Sequence, residues 1–196
     1  GLDVPETTDL LFHPDLTHWE TRTGFPALVS VVRDLAGATV AIHRAYLQVD
    51  EQSEEVAKAS VSKPRMMLGK VAGGSVRLAG IGDDGVLGLS EGVETGLAVM
   101  TACPNLPVWA ALSATNLEQV HLPPEATRII ILADHDASGA GTRAAETAAR
   151  RLRAEERNVA IVMPPREGDD FNDLLLRDGP DIIRDIVGKA LTSDAD

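Results

Sequence analysis

The chain has little cysteine, few aromatic residues and few basic ones. One of its 196 residues is a cysteine, Cys103, which excludes an internal disulfide framework and any zinc site built from several cysteines. A metal ion would therefore need oxygen or histidine ligands. Lys and Arg number 18 against 30 Asp and Glu, a net charge of −12. Proteins that bind nucleic acid unaided usually present a basic surface, so either nucleic acid is not the ligand or cations and other domains supply the positive charge.

Long apolar runs are also missing from the sequence. None approaches the ~20 residues that span a bilayer, and residues 1–8 lack the basic and then apolar order of a signal peptide. We therefore expect a soluble, cytoplasmic protein that makes no membrane contact. Hydrophobic residues make up 44% and charged residues 24% of the chain, which is typical of a globular protein. The start at Gly1 instead of Met leaves open that this is a segment of a longer protein.

The residue pattern changes near residue 85, at a glycine-rich turn. Upstream, the pattern favours β structure, and two pieces that flank Gly73 and Gly74 predict a short antiparallel ribbon. The β-rich runs cover residues 27–33, 39–47, 65–68 and 75–78. We therefore predict a smaller β-rich N-terminal subdomain over residues 1–85 and a second domain over residues 86–196.

Downstream of the turn, short apolar strands alternate with helical segments. The predicted strands cover residues 86–90, 108–112, 128–133 and 159–163, and the predicted helices cover residues 94–102, 116–120, 141–156, 172–177 and 181–191. The run 129–133 is apolar without interruption, as expected of a parallel strand that is covered on both faces. The sequence predicts an α/β fold with a parallel, Rossmann-like sheet flanked by helices.

Acidic residues follow two of these strands at the point where each strand ends. Glu91 follows the strand 86–90, and Asp134 and Asp136 follow the strand 128–133. Ligand sites of open parallel sheets lie beyond the carboxyl ends of the strands, and an extended backbone would turn both aspartates to one side. Carboxylates gathered in this way repel one another unless a hard divalent cation lies between them. The sequence therefore predicts a Mg²⁺ or Mn²⁺ site.

Each acid also has a simpler interpretation, because carboxylates after a strand often cap the next helix. Two neighbouring features favour a ligand site instead. Gly92 permits close approach of the backbone, and Ser138 and Gly139 open a helix with amide groups suited to a phosphate. We therefore predict nucleotide contacts at these three residues.

Three segments, SEGVET at residues 90–95, LADHDASG at residues 132–139 and GDDFNDL at residues 168–174, resemble the successive motifs of the Toprim domain. The form is that of primases and primase-helicases of phages and mobile elements, and the resemblance covers about residues 86–176. It implies a sheet that binds Mg²⁺ or Mn²⁺, with Glu91 as the motif glutamate, Asp134 and Asp136 as the aspartate pair and Asp170 as a further ligand.

The sequence departs from this family pattern at two positions. Further acids of the family would fall at Thr95 and Asn172, which are not acids. Asn172 still offers one neutral oxygen, so the number of metal ions stays open. The segment around Asp170 and Asp173 is also consistent with a plain helix cap that buries Phe171.

The N-terminal part resembles the smaller subdomain of the primase catalytic core. Residues 37–44 are similar to a strand that ends in an arginine facing nucleic acid, and residues 62–65 to the basic segment after it. The candidate phosphate-binding residues are Arg44, Lys63, Arg65, Lys70 and Arg77. The alternative is an ordinary solvated basic surface.

The resemblance implies the catalytic core of a DNA primase, a nucleotidyltransferase that makes short RNA primers. Its substrates would be a single-stranded DNA template and ribonucleoside triphosphates, and its partner a helicase or another replication domain. A Toprim-type metal-dependent nuclease and a non-catalytic nucleic-acid-binding module remain alternatives. A topoisomerase-like reaction needs a nucleophilic tyrosine, and the sole tyrosine, Tyr46, lies in a predicted strand. A phosphatase of the haloacid-dehalogenase type is disfavoured because Ala137 follows Asp136.

Overall fold

The first third of the chain forms an antiparallel sheet. A computed structural model describes residues 9–49 and 56–192, so the expectation for residues 1–8 lies outside the described residues. The strands β1, β2 and β3 lie side by side in that order, and β4 and β5 both pair with β3. Their bounds are Leu10–Thr17 for β1, Gly24–Arg33 for β2, Thr39–Val49 for β3, Val56–Lys58 for β4 and Arg65–Gly69 for β5.

Two features of this sheet differ from the sequence-based expectation. β1 and β4 were not predicted, and β1 carries Pro14 beside an irregularity between His13 and Leu16. A proline is tolerated there because β1 lies at the edge of the sheet. The expected ribbon of residues 65–68 with residues 75–78 is wrong, because β5 pairs with β3 instead.

The remainder of the chain builds a second sheet in the order β10-β9-β7-β8-β6. Its strands are β6 (Val76–Arg77), β7 (Val86–Ser90), β8 (Val108–Ala110), β9 (Arg128–Leu132) and β10 (Asn158–Val162). β7 to β10 run parallel, and only β6 is antiparallel, to β8. Ile129, Ile130, Ile131 and Leu132 are fully buried, as the uninterrupted apolar run predicted.

Helices cover both faces of the second sheet. They are α1 (Val93–Ala102), α2 (Ala114–Leu117), α3 (Ala140–Ala154), α4 (Phe171–Asp178) and α5 (Pro180–Thr192). α1, α4 and α5 pack together on the face that buries Ile130 and Leu132, and α2 and α3 pack on the face that buries Ile129 and Ile131. The predicted α/β class, with a parallel sheet between helices and a β-rich region before it, is confirmed.

The two sheets share a hydrophobic core. Leu10, Val32 and Ala41 of the first sheet belong to the same buried cluster as Val76 and Leu97 of the second part. β6 precedes the predicted boundary near residue 85 but pairs within the second sheet, and the boundary itself stays a prediction. Within residues 9–49 and 56–192, no helix combines the length and apolar character needed to cross a membrane.

A buried asparagine links the segment between the sheets to the end of β8. The side-chain oxygen of Asn116 accepts from the backbone N–H of Gly73 at 2.8 Å. Its amide nitrogen donates to the carbonyls of Gly74 at 2.8 Å and Ala111 at 2.7 Å. Three buried backbone groups therefore depend on one side chain.

We predict that Asn116→Ala lowers the free energy of unfolding by about 2–4 kcal/mol, because it leaves these backbone groups without partners. Urea denaturation followed by circular dichroism measures the change. Asn105→Ala, at an exposed loop position, serves as the control and should change the free energy of unfolding little. Equal midpoints for the two variants would contradict this role of Asn116.

Candidate metal centre

Acidic residues from three elements meet at one cavity. β7 and β9 are neighbours with Ser90 opposite Leu132, so the residues that follow both strands emerge at the same edge of the sheet. The cavity has a volume of about 300 Å³ and includes Glu91, Asp134 and Asp170 in its lining. Three of the four predicted metal ligands are thus brought together.

The pKa values of Glu91 and Asp134 are both raised in this cavity. Burial raises the pKa of Glu91, and the charge of Asp136 adds to the effect. Burial, together with the charges of Glu91 and Asp170, raises the pKa of Asp134 to about 6. Thr95 Oγ1 donates a hydrogen bond to Asp134 Oδ1 at 3.2 Å, which partly opposes that rise.

Asp136 does not line this cavity, because its carboxylate is turned toward the start of α3. It accepts from the backbone N–H groups of Gly141 at 2.7 Å and Ala140 at 3.2 Å, and from the Ser138 hydroxyl. The bond from Ser138, followed by that from Gly141, lowers the pKa of Asp136 to about 2. The helix-capping interpretation therefore describes the observed geometry of this side chain.

The turn into α3 depends on glycine. A Cβ at Gly141 would lie 2.8 Å from the carbonyl oxygen of Asp134 and 3.0 Å from Asp136 Oδ2, so a larger residue would push the start of α3 away from the loop that carries both aspartates. Gly139, with φ of +67°, is the N-cap residue immediately before α3. Ser138 and Gly139 thus belong to the loop that holds Asp136, whereas Gly92 lines the cavity.

Asp170 both caps α4 and lines the cavity. Its Oδ1 accepts from the backbone N–H of Asp173 at 2.8 Å, and Asp173 accepts in return from the Asp170 N–H at 3.3 Å. Phe171 is fully buried beneath this cap. The expected helix cap is confirmed, and Asn172 of the same turn also faces the cavity.

The opposite wall of the cavity comes from the antiparallel sheet. His43 of β3, Lys58 of β4 and Arg65 of β5 contribute to the lining, and Arg65 forms an ion pair with Glu94 of α1. Burial works to raise the pKa of Glu94, but the charge of Arg65 brings it below its ordinary value. Burial lowers the pKa of His43, whose side chain is 7% exposed.

Of the predicted basic residues, Arg65 alone lines this cavity. Lys63 pairs with Glu20 at 2.6 Å, and the Arg77 guanidinium lies 4.5 Å from the centre of the Trp109 ring. Lys70 is exposed at the end of β5. Arg44 is half-buried on the face of β3 opposite to His43, because successive strand residues point to opposite faces.

Sequence reasoning missed His43, Lys58 and Glu94 as lining residues. The alternation in β3 could have identified His43, since it shares a face with the buried Ala41 and Ala45. Lys58 had no comparable signal, because β4 is three residues long and too short to show an alternating pattern. Its position depends on its pairing with β3.

The donor chemistry of the cavity fits a hard divalent cation. Oxygen ligands from carboxylates, a carboxamide and a hydroxyl suit Mg²⁺ and Mn²⁺, and burial together with the neighbouring carboxylates raises the pKa of Asp134, a cost that a bound cation would offset. As arranged within residues 9–49 and 56–192, no three His, Cys, Asp or Glu side chains form a ready set of ligands. The side chains present fit a metal that is completed by water or substrate oxygens.

Comparison with protein families identifies the part of the chain that carries the acidic wall of this cavity. Residues 86–181 match the Toprim domain. The chain contains a Toprim domain. Residues 1–78 match a family described as a domain of unknown function, DUF7146. Among curated proteins, none is significantly similar to the chain.

Several solved structures are similar in fold to most of this chain. The primase fragment of the bacteriophage T7 primase-helicase matches with a TM-score of 0.57 and 20% identity, over 84% of this chain and 64% of that one. The Aquifex aeolicus primase matches with a TM-score of 0.55 and 18% identity, over 94% and 44%. The RNA polymerase domain of the Mycobacterium tuberculosis primase DnaG matches with a TM-score of 0.52 and 17% identity, over 83% and 55%. The fold is shared, and this chain spans less than two thirds of each of these proteins.

We predict that Asp134→Asn stabilises the metal-free Toprim domain at neutral pH. The folded-state pKa of about 6 lies above the ordinary 3.8, so the folded protein holds an extra proton between these values. Its stability therefore falls as pH rises from about 4 to 6. Asparagine removes the charge, and we expect about 1–2 kcal/mol of added stability at pH 7 after allowance for solvent screening.

Thermal unfolding of both proteins from pH 4 to pH 8, with chelator present, measures this effect. The difference in midpoint should be largest at neutral pH and vanish near pH 4. Asp83→Asn removes the same charge at an exposed position and controls for net charge. An equal gain in that control would show that the cavity is not the cause.

Proposed function

We propose that this chain is the catalytic core of a DNA primase, a metal-dependent nucleotidyltransferase that makes short RNA primers on single-stranded DNA. The observation that carries the proposal is the cavity between the two sheets. Its one wall is acidic, with Glu91, Asp134 and Asp170, and its other wall carries Lys58 and Arg65. Such a cavity suits a triphosphate whose charge is divided between cations and basic side chains.

Glu91, Asp134 and Asp170 are the proposed ligands of Mg²⁺ or Mn²⁺, with Asp136 as a further ligand from the same loop. When bound, the cation neutralises phosphate charge and aligns the attacking and leaving oxygens. In the proposed reaction, a 3′-hydroxyl forms a bond to the α-phosphorus of a ribonucleoside triphosphate, and the bond to pyrophosphate breaks. The hydroxyl proton leaves with solvent.

The chain's own residues bind and orient the substrate. Arg65 is held at the cavity by Glu94, which fixes a guanidinium where phosphate oxygens would arrive. Gly92, at the start of α1, leaves its backbone open to close approach. Ser138 and Gly139 orient Asp136 through the α3 turn, so their proposed role includes positioning that carboxylate.

The net charge of −12 is compatible with this proposal, because recruitment of the template would depend on local basic residues and bound cations. Arg44, Lys63 and Lys70 remain proposed template contacts outside the cavity. We further propose that residues 1–85 and 86–196 act as two subdomains of one core, with a helicase or another replication domain as partner in the cytoplasm.

A metal-dependent nuclease would use the same acids, and a nucleic-acid-binding module would use the same groove without chemistry. A topoisomerase-like reaction has no support, since Tyr46 is fully buried and its hydroxyl donates to the carbonyl of Thr17 at 3.2 Å. An assay that follows primer synthesis, template cleavage and template binding together separates the primase, the nuclease and the binding module.

We predict that the chain extends primers on a single-stranded template with Mn²⁺ or Mg²⁺, and that Glu91→Gln lowers the rate at least 100-fold, because a ligand charge is lost. Labelled ribonucleotides incorporated into short RNA are the measurement. Glu146→Gln, an exposed site on α3, is the matched control and should keep full activity. Cleavage of the template in place of synthesis would support the nuclease, and binding without either reaction would support the module.

We predict that Asp170 is needed for metal binding but that its charge is not needed for folding. Asparagine caps helices as well as aspartate does, and loss of the Asp170 charge relieves its repulsion of Asp134. Asp170→Asn should therefore keep or raise the thermal midpoint of the metal-free protein but reduce the Mn²⁺-induced increase. At 100 times the dissociation constant that increase corresponds to about 2.7 kcal/mol. Asp173→Asn alters the same capping box but is not among the cavity-lining residues, and should keep the full Mn²⁺ effect. Equal responses of the two variants would remove Asp170 from the ligand set.

A further inference from the structure

The strand register of the antiparallel sheet assigns its side chains to two faces. Phe12 lies opposite Leu28, Leu28 opposite Ala45, and Ala45 opposite Arg65. Residues directly opposite one another in antiparallel strands point to the same face. These four residues therefore form one transverse row, which we call the Phe12 row.

The Phe12 row lies on the face of the antiparallel sheet that is directed toward the metal cavity. Arg65, at one end, lines that cavity, and Leu28, in the middle, packs against the core shared with the Toprim domain. Phe12, at the other end, is 67% exposed. With neighbouring strands about 4.8 Å apart, three strand spacings put Phe12 about 14 Å from Arg65.

The row thus combines an exposed aromatic ring with a basic side chain that lines the cavity. Proteins that bind single-stranded nucleic acid use this combination, in which bases stack on aromatic rings while basic side chains follow the phosphates. An isolated exposed hydrophobic residue needs no explanation. Phe12 differs from such a residue because it stands in register with a cavity-lining arginine, on the same face.

We infer that Phe12 is a base-stacking residue for the single strand as it enters or leaves the metal cavity. The inference rests on the proposed function and adds to it the path of the strand along the Phe12 row. The ligand is a nucleobase, recognised by its flat surface and not by its sequence. The adjacent Leu11 provides an internal comparison, because it is 51% exposed on the opposite face of the same strand.

The test is the affinity of the full chain for a fluorescein-labelled oligo(dT), measured by anisotropy with Mn²⁺ present. Phe12→Ala should weaken binding roughly tenfold, the loss expected for one stacked base. Phe12→Trp should bind at least as tightly as the wild type. Leu11→Ala, which removes a similarly exposed apolar side chain from the other face, should leave the affinity unchanged.

An oligonucleotide that keeps its phosphates but lacks bases isolates the stacking contribution. On this abasic probe Phe12→Ala and the wild type should bind equally. Unchanged oligo(dT) affinity of Phe12→Ala would overturn the inference and assign the exposed ring to a protein partner or to no contact. The same loss on both probes, or a lowered thermal midpoint in that variant, would also overturn it.

Failure of the proposed function gives a different result. If the wild type binds no oligonucleotide, the proposed nucleic-acid function fails together with the inference. If the wild type binds and extends primers while Phe12→Ala binds oligo(dT) as well as it does, only the role of Phe12 is refuted.

Discussion

The physical constraint behind the candidate site is that three carboxylates of like charge line one cavity. The pairing of β7 with β9 places Glu91 and Asp134 at adjacent strand ends, and the cap of α4 adds Asp170 to the same cavity. Burial, and then repulsion from Glu91 and Asp170, raise the pKa of Asp134 to about 6. The fully buried strands behind them supply the packing that holds these groups in place, so folding stability maintains a site that would be unfavourable in isolation.

The antiparallel sheet completes the site through the alternation of its strands. His43, Arg65 and Lys58 reach the cavity because they lie on the inward face, whereas Arg44 lies on the other face of β3. A change of one residue in strand register would exchange these faces. The shared core formed by Leu10, Val32 and Ala41 with the Toprim domain favours that register, because a slip would move these apolar side chains out of the core.

Much of the Toprim domain could be predicted from the sequence because its signals are local. The strand Val86–Ser90 has the predicted bounds, β9 ends one residue earlier than predicted, and β10 is shifted by one residue at both ends. The gathering of Glu91 and Asp134 follows from the rule that ligands lie beyond the carboxyl ends of parallel strands. The partner of β5 could not be predicted, because a short strand carries no information on which distant strand it pairs with.

The sequence left two roles open for the Asp136 carboxylate, metal ligand and helix cap, and its observed direction divides the acidic motif into two kinds of charge. Asp136 accepts hydrogen bonds from the α3 turn, and its pKa of about 2 keeps it ionised throughout the physiological range. Asp134, two residues earlier, has few such donors and titrates near pH 6. The same sequence pattern thus yields one permanent charge and one that depends on its surroundings. Local hydrogen bonding, which the residue types alone do not specify, determines which aspartate responds when a cation or a phosphate enters the cavity.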